Sequence, residues 1–125
     1  MAVLRSGIDL LEIERMNIAL RHHGERLLKR IFTSRELEEV GNNVASLAAR
    51  FAAKEAVSKA LGTGIGAVGW QEIEILRGPA CEPVLYLHGA AQKLAIDLGL
   101  DTWSLSLSHS QTHAVAVAVA IGSMR

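Results

Sequence analysis

Two acidic side chains interrupt apolar stretches of this sequence. Asp9 lies within the apolar segment 7–11, and Glu55 falls on the apolar face of a predicted helix. The neighbours of Glu55 on that face are Val44, Leu47, Ala48, Phe51 and Ser58. An uncompensated buried carboxylate costs on the order of several kcal/mol, so the fold should supply a cation, hydrogen-bond donors or a metal ion. Mg²⁺ binds few protein carboxylates and keeps positions for water and phosphate, and Mn²⁺ accepts the same ligands. The two acids therefore predict a divalent metal site.

Each acid also has an ordinary structural explanation. Asp9 is predicted at the junction between a strand and a helix, where the N-cap of the helix is a common role. Lys59 follows Glu55 by one helical turn, and Glu and Lys at this spacing often form an ion pair on a helix surface. Taken singly, each explanation is more common than metal binding. Both stay open beside the metal site.

Lys59 also precedes a glycine-rich turn, Gly62-Thr63-Gly64, whose composition suits phosphate binding. The order of residues differs from the Walker motif, and these glycines follow a helix, whereas phosphate-binding fingerprints precede one. A glycine that ends the helix is the simpler explanation. His109 lies in Ser108-His109-Ser110 at the end of a predicted strand, where histidine is more often structural than functional.

Basic residues are concentrated in the first third of the chain. They are Arg15, Arg21, Arg26, Lys29 and Arg30. Such a cluster attracts an acidic partner, although a solvated helix surface is the ordinary explanation.

Composition limits the class of protein. The chain has 125 residues, of which 50% are hydrophobic and 21% charged, as expected for one globular domain over residues 1–125. The formal net charge is zero, which excludes a general attraction to nucleic acid or anionic membranes. Cys81 is the only cysteine, and no apolar run reaches the roughly 20 residues of a membrane span. These features predict a cytoplasmic protein that binds neither nucleic acid nor membrane.

Periodicity predicts alternating strands and helices. Helices are predicted over residues 13–20, 25–31, 44–61 and 90–98, with a break at 22–24 between the first two. The capping box of Thr33 and Glu36 predicts the start of one more helix between residues 31 and 44. Strands are predicted over 3–10, 70–76, 84–88, 103–110 and 113–121. The fold class is therefore α+β, with an antiparallel sheet packed against a long Ala-rich helix that Gly62 ends. The last strand is apolar on both faces, so we expect both to be covered, in part by a neighbouring subunit.

Three blocks of the sequence, taken together, resemble a known family. They are Gly7-Ile8-Asp9, residues 50–64 (RFAAKEAVSKALGTG) and Ser106-Leu107-Ser108-His109. Their order and spacing are similar to those of the holo-acyl-carrier-protein synthases, the small bacterial members of the 4′-phosphopantetheinyl transferase superfamily, over nearly the whole chain. One difference is the turn at residues 80–83, which keeps only the proline of the family's Asn-Gly-x-Pro.

The resemblance implies transfer of 4′-phosphopantetheine from coenzyme A to a serine of apo acyl carrier protein, for fatty acid biosynthesis, with release of adenosine 3′,5′-bisphosphate. It places Mg²⁺ on Asp9 and Glu55, and assigns Glu55, or a water beside it, to take the serine proton. Lys59 would act on the coenzyme A phosphates. The residues that it places near the nucleotide are Gly62, Thr63, Gly64 and His109, with His109 reaching from a neighbouring subunit.

The same resemblance implies two kinds of protein contact. Arg15, Arg21 and Arg26 would meet an acidic helix of the carrier protein, which speeds encounter and orients it. The chain would assemble as a homotrimer with active sites between subunits, which would cover the outer face of the last strand.

Two other classes of function stay open from the residues alone. A metal-dependent nucleotide hydrolase would use the same carboxylates and lysine but would attack with water. A non-catalytic oligomeric binding domain would use Asp9 and Glu55 as structural ion pairs.

Overall fold

Antiparallel strands form two sheets in the computed structural model, which describes residues 1–124. The strands are β1 (Ala2–Glu12), β2 (Ile73–Arg77), β3 (Pro83–Leu87), β4 (Leu100–His109) and β5 (His113–Ser123). The larger sheet has the order β1-β5-β4, and the smaller sheet is the hairpin of β2 and β3. β5 pairs with β1 along its whole length, so the beginning of β1 lies beside the end of β5 at one exposed end of the sheet.

In the described part of the chain, four helices accompany the sheets, and local sequence signals mark several of their boundaries. They are α1 (Ile13–Ile31), α2 (Ser34–Val40), α3 (Val44–Ala60) and α4 (Gly89–Asp97). α1 is broken at Gly24, whose φ of 54° is left-handed, as the predicted break required. The capping box of Thr33 and Glu36 begins α2, and Gly62, with a φ of 85°, follows the end of α3. The predicted α+β class is confirmed. Within residues 1–124, no helix is both long and apolar enough to cross a membrane.

Two predictions about local structure are wrong. Asp9 lies inside β1, opposite Ala116 of β5, and the N-cap of α1 is Glu12. The strand runs past the predicted junction because β5 pairs with it throughout, which local periodicity does not report. Trp70–Glu72 form a 3₁₀ turn rather than the start of the first hairpin strand.

α3 packs directly against β1 at Gly7. A Cβ at this position would collide with the backbone carbonyl of Ala56 in α3, so only glycine allows the two backbones to come this close. Small side chains on α3, including the fully buried Ala52 and Ala53, make the same approach possible along the helix. This crossing determines which residues of α3 lie beside β1.

A buried ion pair anchors α3 to the rest of the fold. Lys54 and Glu36 are both fully buried, with Nζ 2.7 Å from Oε1. The Lys54 ammonium also donates to the carbonyls of Ile73 and Trp70, at 2.6 and 3.0 Å. Glu36 accepts a further hydrogen bond from the N–H of Ile75. Burial lowers the pKa of Lys54, and the carboxylate of Glu36 opposes that effect. The pair therefore joins α2, α3 and β2.

The face of the larger sheet that points away from α3 is apolar and exposed. The alternating alanines of β5 are buried, whereas the alternating valines and Ile121 point outward. Large apolar residues on this outer face are 36–71% exposed: Leu4, Ile8, Leu10, Val119 and Ile121. Within residues 1–124 of one chain, β5 is therefore buried only on the face that packs against α3, and its outer face is not covered.

Lys54→Met is expected to lower the free energy of unfolding by about 3–5 kcal/mol, because it leaves the carboxylate of Glu36 buried without its cation. Chemical denaturation followed by circular dichroism measures this loss. Adding Glu36→Gln should restore part of it, since a neutral amide costs less free energy to bury than a charge. Equal stability of the single and double variants would show that charge pairing does not hold α3 in place.

Candidate active site

An open cleft of about 640 Å³ lies where α1, α3 and the end of β1 meet. Its acidic and basic wall contains Asp9 from β1 and both Glu55 and Lys59 from α3. Arg15 and Arg30 come from the two arms of α1 on either side of the break. The apolar part of the wall includes Leu11, Met16, Leu27, Ile31, Phe51 and Trp70. The cleft therefore combines carboxylates, cations and apolar surface in one place.

Lys59 binds Asp9 rather than Glu55. Its Nζ lies 3.1 Å from Oδ1 of Asp9 and 2.9 Å from the carbonyl oxygen of Ile8. Within residues 1–124, no ion pair joins Lys59 to Glu55, so the helix-surface pair considered from the sequence does not form. The side chain of Asp9 is 18% exposed and that of Lys59 is 51% exposed. The more exposed side chain of Lys59 therefore contacts the largely buried carboxylate of Asp9.

Glu55 is half-buried at the edge of the cleft. Burial raises the pKa of Glu55, and the nearby carboxylate of Asp9 raises it further, while Lys59 acts in the opposite direction. The fully buried charge on α3 is that of Lys54, one residue earlier. The expectation that Glu55 lies in the middle of a buried apolar face is therefore corrected: α3 is buried around most of its circumference, and Glu55 is partly exposed because it faces the open cleft.

The two carboxylates are a suitable pair of ligands for Mg²⁺. Neighbouring carboxylates repel each other when both are ionised, and a divalent cation between them removes that repulsion. In the described part of the chain, no group of three or more His, Cys, Asp or Glu side chains is arranged to hold a metal. Two carboxylates are too few for a closed structural zinc site, whereas Mg²⁺ completes its shell with water and phosphate oxygens. Asp9 and Glu55 therefore fit Mg²⁺ bound together with a phosphate ligand.

The glycine-rich turn ends α3 and is not part of the cleft wall. The backbone N–H groups of Thr63 and Gly64 each lie 3.2 Å from the carbonyl oxygen of Ser58. Together with Gly62, whose φ is left-handed, these contacts end the helix. The glycine therefore has the helix-ending role that was considered from the sequence. The turn begins shortly after Lys59, so it lies near the basic side of the cleft.

His109 ends β4 and is exposed. It lies opposite Ala114, which in turn lies opposite Leu11 of β1. Two strand spacings, about 10 Å between backbones, therefore separate His109 from β1. A single chain does not bring His109 to the acidic pair.

One of the three arginines predicted to bind a protein partner lines the cleft, and this is Arg15. Arg21 forms an exposed ion pair of 2.9 Å with Glu14. Arg26 is exposed on the second arm of α1. Arg30 was placed in the basic cluster but not among the predicted site residues, yet it lines the cleft. The break in α1 determines which cations face the site.

The apolar wall of the cleft was not predicted. Phe51 and Trp70 stack with ring centroids 4.8 Å apart and planes inclined by 30°. Phe51 precedes Glu55 by one helical turn, and this spacing could have predicted that Phe51 lies on the same side of α3 as Glu55. Trp70 belongs to a different segment, and the buried Lys54 holds its carbonyl. Only the tertiary structure brings this residue to the site.

Comparison with known proteins agrees with this geometry. The model of the 4′-phosphopantetheinyl transferase superfamily matches residues 5–118, and the chain belongs to that superfamily. A holo-[acyl-carrier-protein] synthase of Herpetosiphon aurantiacus is 45% identical over 115 residues, which cover 86% of this chain and 91% of that protein. The chain is an enzyme of the holo-[acyl-carrier-protein] synthase family.

Solved structures are similar over the same range. The holo-[acyl-carrier-protein] synthase of Helicobacter pylori in complex with coenzyme A has a TM-score of 0.85 and 30% identity, covering 92% of this chain and 98% of that one. The Bacillus anthracis synthase in complex with CoA (3′,5′-ADP) has a TM-score of 0.80 and 32% identity, covering 98% of this chain and 100% of that one.

Glu55→Gln is expected to raise the melting temperature of the metal-free protein at neutral pH, by roughly 1–3 °C. The raised pKa means that the ionised carboxylate is less favourable in the folded chain than in the unfolded one. This penalty is absent below the unfolded pKa, grows as pH rises through the window between the two values, and is complete above the folded pKa.

Thermal unfolding at several pH values, with chelator present, measures the difference between wild type and variant. The matched control is Glu38→Gln, which changes an exposed glutamate of α2. A lower melting temperature for Glu55→Gln than for wild type at neutral pH would contradict the assigned electrostatics.

Proposed function

We propose that this protein transfers the 4′-phosphopantetheine group of coenzyme A to a serine hydroxyl of apo acyl carrier protein. The reaction depends on Mg²⁺, releases adenosine 3′,5′-bisphosphate and serves fatty acid biosynthesis in the cytoplasm. The observation that carries the proposal is the meeting of Asp9, Glu55 and Lys59 at one cleft, in a member of this family. Asp9 is far from the other two in sequence, so local helix geometry does not explain their meeting.

The chemistry sets three requirements for the site. The serine oxygen forms a bond to the phosphorus that carries the pantetheine arm, and the bond from that phosphorus to the bridging oxygen breaks. Adenosine 3′,5′-bisphosphate leaves with the electron pair, and a base takes the serine proton. The site must therefore balance the charge of the pyrophosphate, orient the hydroxyl and accept one proton.

Asp9 and Glu55 are the proposed ligands of Mg²⁺. When bound, Mg²⁺ neutralises charge that develops on the leaving group. Lys59 adds a second positive charge on the same side of the cleft. Its side chain is about half exposed, so its ammonium is able to exchange Asp9 for a phosphate oxygen.

Glu55 is the proposed acceptor of the serine proton. Burial and the charge of Asp9 raise the pKa of Glu55, which makes it a stronger base than an exposed glutamate. Asp9 is less available because it accepts a hydrogen bond from Lys59. Since a cation at the site would lower the pKa of Glu55 again, a water beside this residue is the alternative acceptor.

We propose that the nucleotide of coenzyme A lies against the turn Gly62-Thr63-Gly64 and against His109 of a neighbouring subunit. The separation of His109 from β1 within one chain supports a contribution from a second copy. The exposed apolar face of β1 and β5 supports the homotrimer that this arrangement needs.

The homotrimer should be visible by sedimentation at micromolar concentration, because burying the apolar outer face favours association. A charged substitution on that face, Ile8→Glu, should shift the protein toward monomer and reduce transfer. A well-folded wild-type monomer with full activity at nanomolar concentration would contradict the shared site.

A mass measurement on the carrier protein tests the reaction directly. Apo carrier protein mixed with enzyme, coenzyme A and Mg²⁺ should gain one phosphopantetheine. Asp9→Asn and Glu55→Gln should each slow this gain by about a hundredfold or more, the range for loss of a catalytic acid or base. Asp97→Asn, which changes an exposed carboxylate of α4, is the matched control and should leave the rate unchanged.

Two outcomes would contradict the proposal. Release of adenosine 3′,5′-bisphosphate from coenzyme A without carrier protein would indicate a hydrolase. Transfer that is independent of divalent ions and insensitive to both substitutions would remove the acidic pair from the mechanism.

Arg15→Glu should raise the KM for carrier protein by about tenfold while leaving the KM for coenzyme A nearly unchanged, because Arg15 is proposed to meet an acidic helix of the partner. Arg21 and Arg26 are assigned the same role farther from the cleft. The difference should shrink as salt is added, since screening weakens exposed charge pairs. Lys93→Glu on α4 is the charge-reversal control, and an equal rise in both KM values would contradict the division of roles.

A further inference from the structure

The guanidinium of Arg5 is held between the end of α3 and the glycine-rich turn. Arg5 is half-buried on the face of β1 that packs against α3, and its Nε donates to the carbonyl oxygen of Ala60 at 2.6 Å. Its Nη2 lies against Gly62, where a Cβ would come within 2.5 Å of that nitrogen. Gly62 therefore leaves room for the guanidinium as well as ending the helix.

Among residues 1–124, Arg5 has no acidic partner, and most of its N–H donors are not used in hydrogen bonds. Within residues 1–124, ion pairs engage the guanidinium groups of Arg21, Arg35 and Arg50, and none engages Arg5. A guanidinium carries five N–H donors, and one of those of Arg5 is used on Ala60. The fold thus fixes an unneutralised cation with most of its donors available beside the turn.

Capping the last carbonyls of α3 is the simplest role for such a residue. Arg77 has that role elsewhere, since its Nη1 donates to the carbonyl of Glu39 near the end of α2. Arg5 differs because its guanidinium also contacts the turn Gly62-Thr63-Gly64, which the proposed function places against the nucleotide.

The position of Arg5 along β1 selects which phosphate it meets. Arg5 and Asp9 lie on the same face of the strand, with Gly7 between them against α3. Their Cα atoms are about 13 Å apart along the strand. A pyrophosphate held by Asp9, Glu55 and Lys59 is therefore too far along the strand to share with Arg5. Coenzyme A carries one other phosphate, the 3′-phosphate of its ribose.

We propose that Arg5 binds the 3′-phosphate of coenzyme A and makes this enzyme selective for nucleotides that carry it. The inference rests on the proposed function, and it adds a residue of β1 to the turn and lysine already assigned to the nucleotide. A guanidinium fork matches a phosphate monoester in charge and in hydrogen-bond geometry.

Nucleotide binding by isothermal titration calorimetry tests the proposal with wild type and Arg5→Gln. The affinity for adenosine 3′,5′-bisphosphate should fall about tenfold in the variant, the size expected for a hydrogen bond between charged groups. The affinity for adenosine 5′-monophosphate, which lacks the 3′-phosphate, should stay the same. Arg5→Lys, which keeps the charge, should lie between wild type and Arg5→Gln, and Arg77→Gln is the control for loss of a helix-capping arginine.

Kinetics provides a second measurement. Arg5→Gln should raise the KM for coenzyme A about tenfold while leaving the KM for 3′-dephospho-coenzyme A unchanged. Equal effects on both nucleotides, or a lower melting temperature with no effect on either, would overturn the proposal and leave Arg5 as a helix cap. Absence of transfer by the wild-type enzyme would refute the proposed function instead, and the calorimetric comparison would still decide the role of Arg5.

Discussion

The contact between α3 and β1 at Gly7 is the constraint on which the site depends. Because residue 7 has no side chain, the helix lies directly on the strand, with its backbone against that of Ala56. Asp9 is then carried to one side of the crossing, next to Glu55 and Lys59. A wider separation would move the two carboxylates apart, which would break the Lys59–Asp9 bond and remove the contribution of Asp9 to the raised pKa of Glu55, while burial would still raise that pKa.

α3 keeps this position because it is buried on most sides and tied down by charge. Lys54, next to Glu55 in sequence, points in a different direction and binds Glu36 in the interior. Arg50 similarly binds the carbonyl of Ile75 and the carboxylate of Glu39. Two cations of the helix are thus satisfied inside the protein, while Lys59 stays at the surface. The same helix supplies structural anchors and, from adjacent positions, the groups proposed to act in the reaction.

Much of the fold follows from local signals in the sequence. The break at Gly24, the capping box of Thr33 and Glu36 and the helix end at Gly62 each depend on a few neighbouring residues, and each was predicted correctly. The length of β1 was not predictable in this way, because its pairing with the distant β5 extends it to Glu12.

The site was predictable only in part, for the same reason. Asp9 and Glu55 were recognisable as acids in apolar surroundings, and the structure brings them together. Their partners were not: Lys59 turns to Asp9 across the crossing, and helical spacing alone favoured Glu55. Trp70 and Arg5 reach their places through contacts with segments far away in sequence. Periodicity reports which face of an element is apolar, but not which element lies opposite.

The bend at Gly24 separates the rim of the cleft from its floor. The first arm of α1 carries Arg15 and the second carries Arg30, whereas the carboxylates belong to β1 and α3. The second arm also packs into the core through the buried Ile31, so Arg30 places its charge on the cleft wall from a segment that the core holds in position. The charge at the opening of the cleft therefore depends on a different segment from the strand and helix that carry the acidic pair.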